Sequence, residues 1–273
     1  LRRIRRMADD VGNRRGRPLL LSAHTPFTLK DCVHVGVDLE TWLKEDLIDQ
    51  FCPGGSMESV FRDSYTSMIE LGHKYEIPVY PCISWGFWDR WVYLDHSEGK
   101  HRQFGDWLKT LYGGQVDRMG FPSYILVFNA WEGTFPAWRG AAMNLLNAGA
   151  DGLYLFNPAL GEPHWYREFG EVATMAGKDR LYGIDRFEGL DSFHEVAEMD
   201  LEPGVSVATA FQVGEDVSSV DARSLDFRIH LWNHVAGDAV LVKLNGATID
   251  GLEPEDPGRN PQQGQWLGGN LDA

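Results

Sequence analysis

The sequence predicts an α/β fold, with a parallel sheet of strands alternating with helices followed by a small all-β domain. Three observations lead there. Apolar runs of strand length alternate with helical patterns at about 30 residues per unit, the spacing of strand–helix–strand crossovers. The runs are nearly continuous in apolar residues, as suits strands covered on both faces. Past about residue 177 the helical patterns stop and period-two alternation takes over. An open doubly wound sheet and a (β/α) barrel both satisfy the first half. No glycine-rich phosphate loop follows any strand, which weakens the nucleotide-binding open sheet and favours the barrel.

Each element has its own reason. Residues 1–13 carry Ile4, Met7 and Val11 at helical spacing on an arginine-rich helix. Pro18 breaks that pattern, and 19–24 reads as a buried strand closed by Pro26. Thr28 suits the cap of a short helix, and Asp38 caps the next, 39–45, with Trp42 facing inward. A second strand, 47–52, ends at Pro53-Gly54-Gly55. Residues 57–75 form a long amphipathic helix with Val60, Tyr65, Met68 and Leu71 inward. Residues 78–84 are a third strand, 135–148 a helix of small residues, and 151–157 a further strand. Between them the run Tyr124-Ile125-Leu126-Val127-Phe128 suits either a fifth barrel strand or an inserted excursion. The alternating runs 205–213, 225–232 and 239–244 read as antiparallel strands of a sandwich or jelly roll, the last closed by Asn245-Gly246. Residues 253–264, rich in Pro, Gly and Gln, read as loop, with one more strand starting at Gln265-Trp266-Leu267.

Composition narrows the function. The 273 residues carry a net charge of −15, which argues against nucleic acid or an anionic membrane as partner. No apolar run approaches the roughly 20 residues needed to cross a bilayer. The arginines at positions 2, 3, 5, 6, 14, 15 and 17 read chiefly as the solvated face of the first helix, with a ligand or subunit contact as the alternative. Cys32, Cys52 and Cys82 lack CxxC spacing and read as free structural thiols. No HxH or HExxH spacing supports a metal, and no motif calls for a cofactor. The opening Leu1-Arg2-Arg3-Ile4 has neither Met nor a signal core, so a region upstream of Leu1 is expected.

Several segments in order resemble an uncharacterised bacterial family of glycosyl-hydrolase-like, family-10-like proteins. They are Arg15-Gly16-Arg17-Pro18-Leu19-Leu20-Leu21, then Gly36-Val37-Asp38-Leu39-Glu40-Thr41-Trp42 with Leu47-Ile48-Asp49. The third is Trp138-Arg139-Gly140-Ala141-Ala142, leading into Asp151-Gly152-Leu153-Tyr154-Leu155-Phe156-Asn157. The resemblance covers roughly residues 1–175 and implies a TIM-type barrel, so that 1–177 reads as the C-terminal part of a (β/α)8 barrel; the change of pattern adds a linker at 178–202 and an accessory β domain at 203–273. Val242-Lys243-Leu244-Asn245-Gly246 is similar to galactose-binding-like modules of glycosidases, though it also makes an ordinary hairpin turn. The implied activity is on carbohydrate, and an accessory β domain points to an extracytoplasmic setting.

In such barrels the site lies at the C-terminal strand ends, and glycoside hydrolysis generally uses two carboxyl groups. Glu132, between Trp131 and Gly133, is the leading candidate for acid or nucleophile, and equally suits a helix N-terminal charge. Asp49 is the second carboxylate, structural or catalytic, and a buried carboxylate there needs an Arg or Lys partner. His24, Asn129 and Asn157 are candidate partners for sugar hydroxyls. Trp85, Trp88 and Trp131 suit a platform for the C–H faces of sugars, or packing of the long segment they lie in. The leading reading is a glycoside hydrolase or hydrolase-like relative; the alternatives are a non-catalytic carbohydrate-binding protein and a structural surface protein.

Overall fold

The computed structural model describes residues 1–54, 64–84, 135–156, 164–182, 201–218, 224–231, 238–254 and 265–271. Within them the chain is a mixture of helices and strands in small sheets, and it divides into two compact units, Leu1–Asp216 and Val217–Ala273.

The first unit opens with α1, Arg2–Arg15, which ends at Gly16 in the left-handed conformation with Arg14 and Arg15 in its last turn. Those cations suit the negative end of the helix dipole. The buried face of α1 is Ala8 and Gly12, whereas Ile4 and Met7 are exposed. β1 spans Ser22–Thr25. Then come two short helices whose starts are set locally, α2 (Leu29–His34) and α3 (Leu39–Lys44). The Thr28 side chain accepts from Asp31 N, and Asp38 accepts from Thr41 N. Each such cap satisfies an orphan N–H and is worth about 1 kcal/mol.

β2 (Gln50–Pro53) pairs in parallel with β1, with Ser22 opposite Gln50 and His24 opposite Cys52. The described part of the long helix is α4, Ser64–Lys74. β3 (Cys82–Ser84) pairs in parallel with β4 (Tyr154–Phe156), Cys82 opposite Tyr154. A parallel bridge between Phe51 and Val79 joins β2 to the lead-in of β3. The lateral order is therefore β1-β2-β3-β4, all parallel. The strands begin later than the apolar runs suggest. Leu20, inside the expected first strand, is 63% exposed and precedes the ladder.

The sheet does not lie flat. Adjacent strands are about 4.8 Å apart, so β1 and β4 would be roughly 14 Å apart across a flat four-strand sheet. Instead the rings of His24 on β1 and Tyr154 on β4 approach to 5.5 Å between centroids. The two side chains reach across part of that span themselves, and a bow of the sheet towards the face that bears them supplies the rest, which makes that face concave.

The core lies on the convex side. Phe51, Val79 and Ile83 pack there with Tyr65, Met68 and Ile69 of α4. Ala141, Ala142 and Leu145 come from α5, which spans Phe135–Asn147. Full burial of a large apolar side chain contributes about 1.5–3 kcal/mol. Gly72 lets α4 approach closely, because a Cβ there would collide with Val79 and lie 2.9 Å from Phe51. After β4 come α6 (His164–Glu168) and a 3-10 turn at Val172–Met175.

Residues 205–213, expected to be a strand, form none. Their neighbourhood packs on α5 instead: Asn144 Nδ2 donates to Gln212 O at 3.1 Å, and Asn147 Nδ2 donates to Gly214 O. Glu215 accepts at 2.5 Å from both Arg180 Nε and Tyr182 Oη. Of the acceptors in the run, Gln212 O is thus taken by a side-chain donor from a helix.

The second unit is β-rich. β5 (Asp226–Leu231) pairs antiparallel with β9 (Gln265–Asn270), and the short β8 (Glu253–Pro254) pairs with the same strand. Asn245-Gly246 turns β6 (Val242–Leu244) into β7 (Ala247–Ile249), as the Asn-Gly pair predicts.

Candidate functional site

Period-two alternation decides which side chains reach the concave face. Ala23, Phe51, Val79, Ile83 and Leu155 belong to the core side. Ser22, His24, Gln50, Cys52, Tyr80, Cys82 and Tyr154 therefore fall on the other. Ser22 Oγ lies 3.8 Å from Cys52 Sγ, which fixes that orientation for β1 and β2.

Across this face the outer strands carry rings and the middle strands carry thiols. Cys52 and Cys82 are 5% and 1% exposed, whereas His24 is exposed and Tyr154 is 37% exposed. Two small residues on the middle strands leave the room in which the outer rings meet. Burial pushes the Cys52 thiol pKa up, and the Ser22 hydroxyl only partly offsets this. Burial thus favours the neutral thiol over the thiolate. Among the described residues no cluster could hold a metal ion.

The contacts just past β2 and at the start of β3 are neutral. Tyr65 Oη donates to Cys82 O at 2.9 Å in a buried bond. Gly54, directly after β2, has φ 123°, and a Cβ there would lie 2.5 Å from Tyr65 Oη and 2.9 Å from Cys82 Cβ. Both conformation and space demand glycine.

The N-terminal ends of β2 and β4 carry charge. Asp49 precedes β2, and its Oδ2 accepts from Arg5 Nη2 at 2.7 Å and from Leu21 N at 2.5 Å. Asp151 precedes β4, and its Oδ2 accepts from Val79 N at 2.8 Å and meets His73 Nε2 at 2.9 Å. The two arrangements match: an aspartate ahead of one strand holds a backbone N–H at the start of the neighbouring strand and a cationic or titratable group on the preceding helix. Burial raises the Asp151 pKa, but the bonds from Val79 N–H and His73 outweigh it and hold the carboxyl below its ordinary range.

Of the residues singled out from sequence, the structure brings His24 onto the concave face near the end of β1. It sets Asp49 at the N-terminal end of β2, away from that face, with the arginine partner that a buried carboxylate requires. Glu132, Trp85, Trp88, Asn129, Trp131 and Asn157, and the run 124–128, lie outside the described residues. Among the described residues the concave face bears no carboxylate. Tyr154 was not singled out; the alternation of 151–157 places it opposite Leu153 and Leu155, which is the signal that identifies it. Of the α1 arginines, Arg3, Arg6 and Arg14 line an open surface groove with Met7 and Asp10, while Arg2 pairs with Glu45 and Arg5 with Asp49. Among the described residues no helix is long and apolar enough to cross a membrane. No protein-family model matches the chain, and no curated protein matches it either.

Proposed function

We propose that the chain is a carbohydrate-active protein, a glycoside hydrolase or hydrolase-like relative. In this reading it is the C-terminal part of a (β/α)8 barrel with an accessory β domain, and it takes its sugar at the C-terminal strand ends. The observation that carries the reading is the meeting of His24 and Tyr154 across four parallel strands. A ring-to-ring approach across that many strands suits a sheet bowed towards closure. Barrel sheets offer their ligand sites at the end where His24 lies.

In this proposal Glu132 is the acid or nucleophile, Trp85, Trp88 and Trp131 supply apolar faces for sugar rings, and Asn129 and Asn157 bind hydroxyls. Asp49, tied to Arg5 and Leu21, suits a structural tie between α1 and the sheet better than the second catalytic carboxylate. A non-catalytic sugar-binding role is the second reading. It is favoured by the placement of both described pre-strand aspartates, Asp49 and Asp151, at the N-terminal ends with partners.

One experiment separates them. The full chain is incubated with neutral gluco-, manno-, xylo- and galacto-configured oligosaccharides, and released reducing ends and binding are both measured. Hydrolysis that Glu132→Gln lowers about a hundredfold or more supports the enzyme. Binding without turnover, unchanged in Glu132→Gln, supports the second reading. Neither turnover nor binding would overturn both.

A further inference from the structure

We infer that Tyr154, acting with His24, is a ligand-contacting residue that seats a sugar ring on the concave face. This rests on the carbohydrate reading above and names a contact within that site.

Four observations lead to it. Tyr154 stands in register with buried Cys82, and His24 in register with buried Cys52, so each ring sits beside a small covered neighbour. The rings meet at 5.5 Å with a 50° tilt, so neither stacks flush on the other. That geometry leaves part of the Tyr154 ring open, in agreement with its 37% exposure. Among the described residues the Tyr154 hydroxyl has no hydrogen-bond partner.

A sugar ring asks for this combination. Its C–H face packs on an aromatic ring, while its hydroxyls need donors and acceptors at the ring edge. Tyr154 offers an apolar face and a hydroxyl. The His24 imidazole adds a polar ring beside it. The contact is made from the open side of the pair, because 5.5 Å between centroids leaves no space for a ring between them.

The test is calorimetric titration of the full chain with the same oligosaccharide panel, using Tyr154→Leu, Tyr154→Phe and His24→Gln. Tyr154→Leu removes the aromatic face and is expected to raise Kd about tenfold. Tyr154→Phe keeps the face, loses the hydroxyl, and is expected to raise Kd about threefold. Binding of folded Tyr154→Leu equal to the unsubstituted protein overturns the inference and leaves the carbohydrate reading standing. An equal loss in Tyr154→Phe and Tyr154→Leu overturns the stacking role. Absence of any binding by the unsubstituted protein overturns the carbohydrate reading, and the inference with it. Should Tyr154→Leu not fold, nitration of the unsubstituted protein decides. Bound oligosaccharide is expected to protect Tyr154, and unchanged nitration overturns the inference.

Discussion

At the N-terminal strand ends the chain places carboxylates and gives each one a partner. On the concave face and just past β2 it places rings, thiols, a tyrosine hydroxyl bond and a glycine. Asp49 and Asp151 each join a helix to two strands, so a charge is held where it fixes relative position. His24 and Tyr154 instead remain exposed over buried thiols. One end fixes relative position through charge, whereas the other presents two aromatic rings at the surface. In (β/α) barrels the loops before the strands serve stability and those after them carry the ligand sites.

Substitutions can sharpen that contrast or break it. The largest effect is expected for Gly54→Ala, which adds a clash with Tyr65 and Cys82 to an unfavourable φ of 123°. A loss of about 3 kcal/mol in chemical denaturation is the expected outcome. Asp49→Ala leaves the Leu21 N–H and the Arg5 guanidinium without their acceptor and is expected to cost about 2 kcal/mol. Its oligosaccharide affinity, by calorimetry, should stay unchanged; a parallel loss of affinity would break the division between the two ends. Tyr65→Phe removes one buried bond to Cys82 O and should cost about 1 kcal/mol.

The smallest effect belongs to Asp151→Asn, because the carboxyl is partly exposed, and it depends on pH. The folded-state pKa is depressed, so the carboxylate stabilises the fold above the unfolded-state value, about pH 4. That contribution fades as pH falls through the lower folded-state value. The gap in unfolding temperature between Asp151→Asn and the unsubstituted protein should therefore shrink on acidification; a gap that widens would contradict the tie.

What the sequence made legible was local. The caps at Thr28 and Asp38, the helices α1 and α5 and the Asn245-Gly246 turn depend on residues a few positions apart, and they form where the pattern put them. Ladder limits were less legible. Leu19-Leu20-Leu21 is apolar enough for a strand, yet pairing begins at Ser22, because register is set by the partner strand and not by the run itself. Residues 205–213 alternate as a strand would, but Asn144 and Asn147 bind the adjoining backbone from a helix distant in sequence. The meeting of His24 and Tyr154 was the least legible feature. It depends on the curl accumulated over four strands, although alternation alone puts each residue on its face. Asp49 illustrates the intermediate case: its need for a cation could be read from sequence, whereas the end of the strand at which it is met could not.

The most direct test of the account compares two histidines at opposite strand ends, His24 and His73, as internal reporters. Their ring resonances, assigned with His24→Gln and His73→Gln, are followed by NMR while the full chain is titrated with the oligosaccharides. The account predicts that the His24 signals move with saturation while those of His73 stay in place. Movement of His73 with His24 unchanged would contradict it.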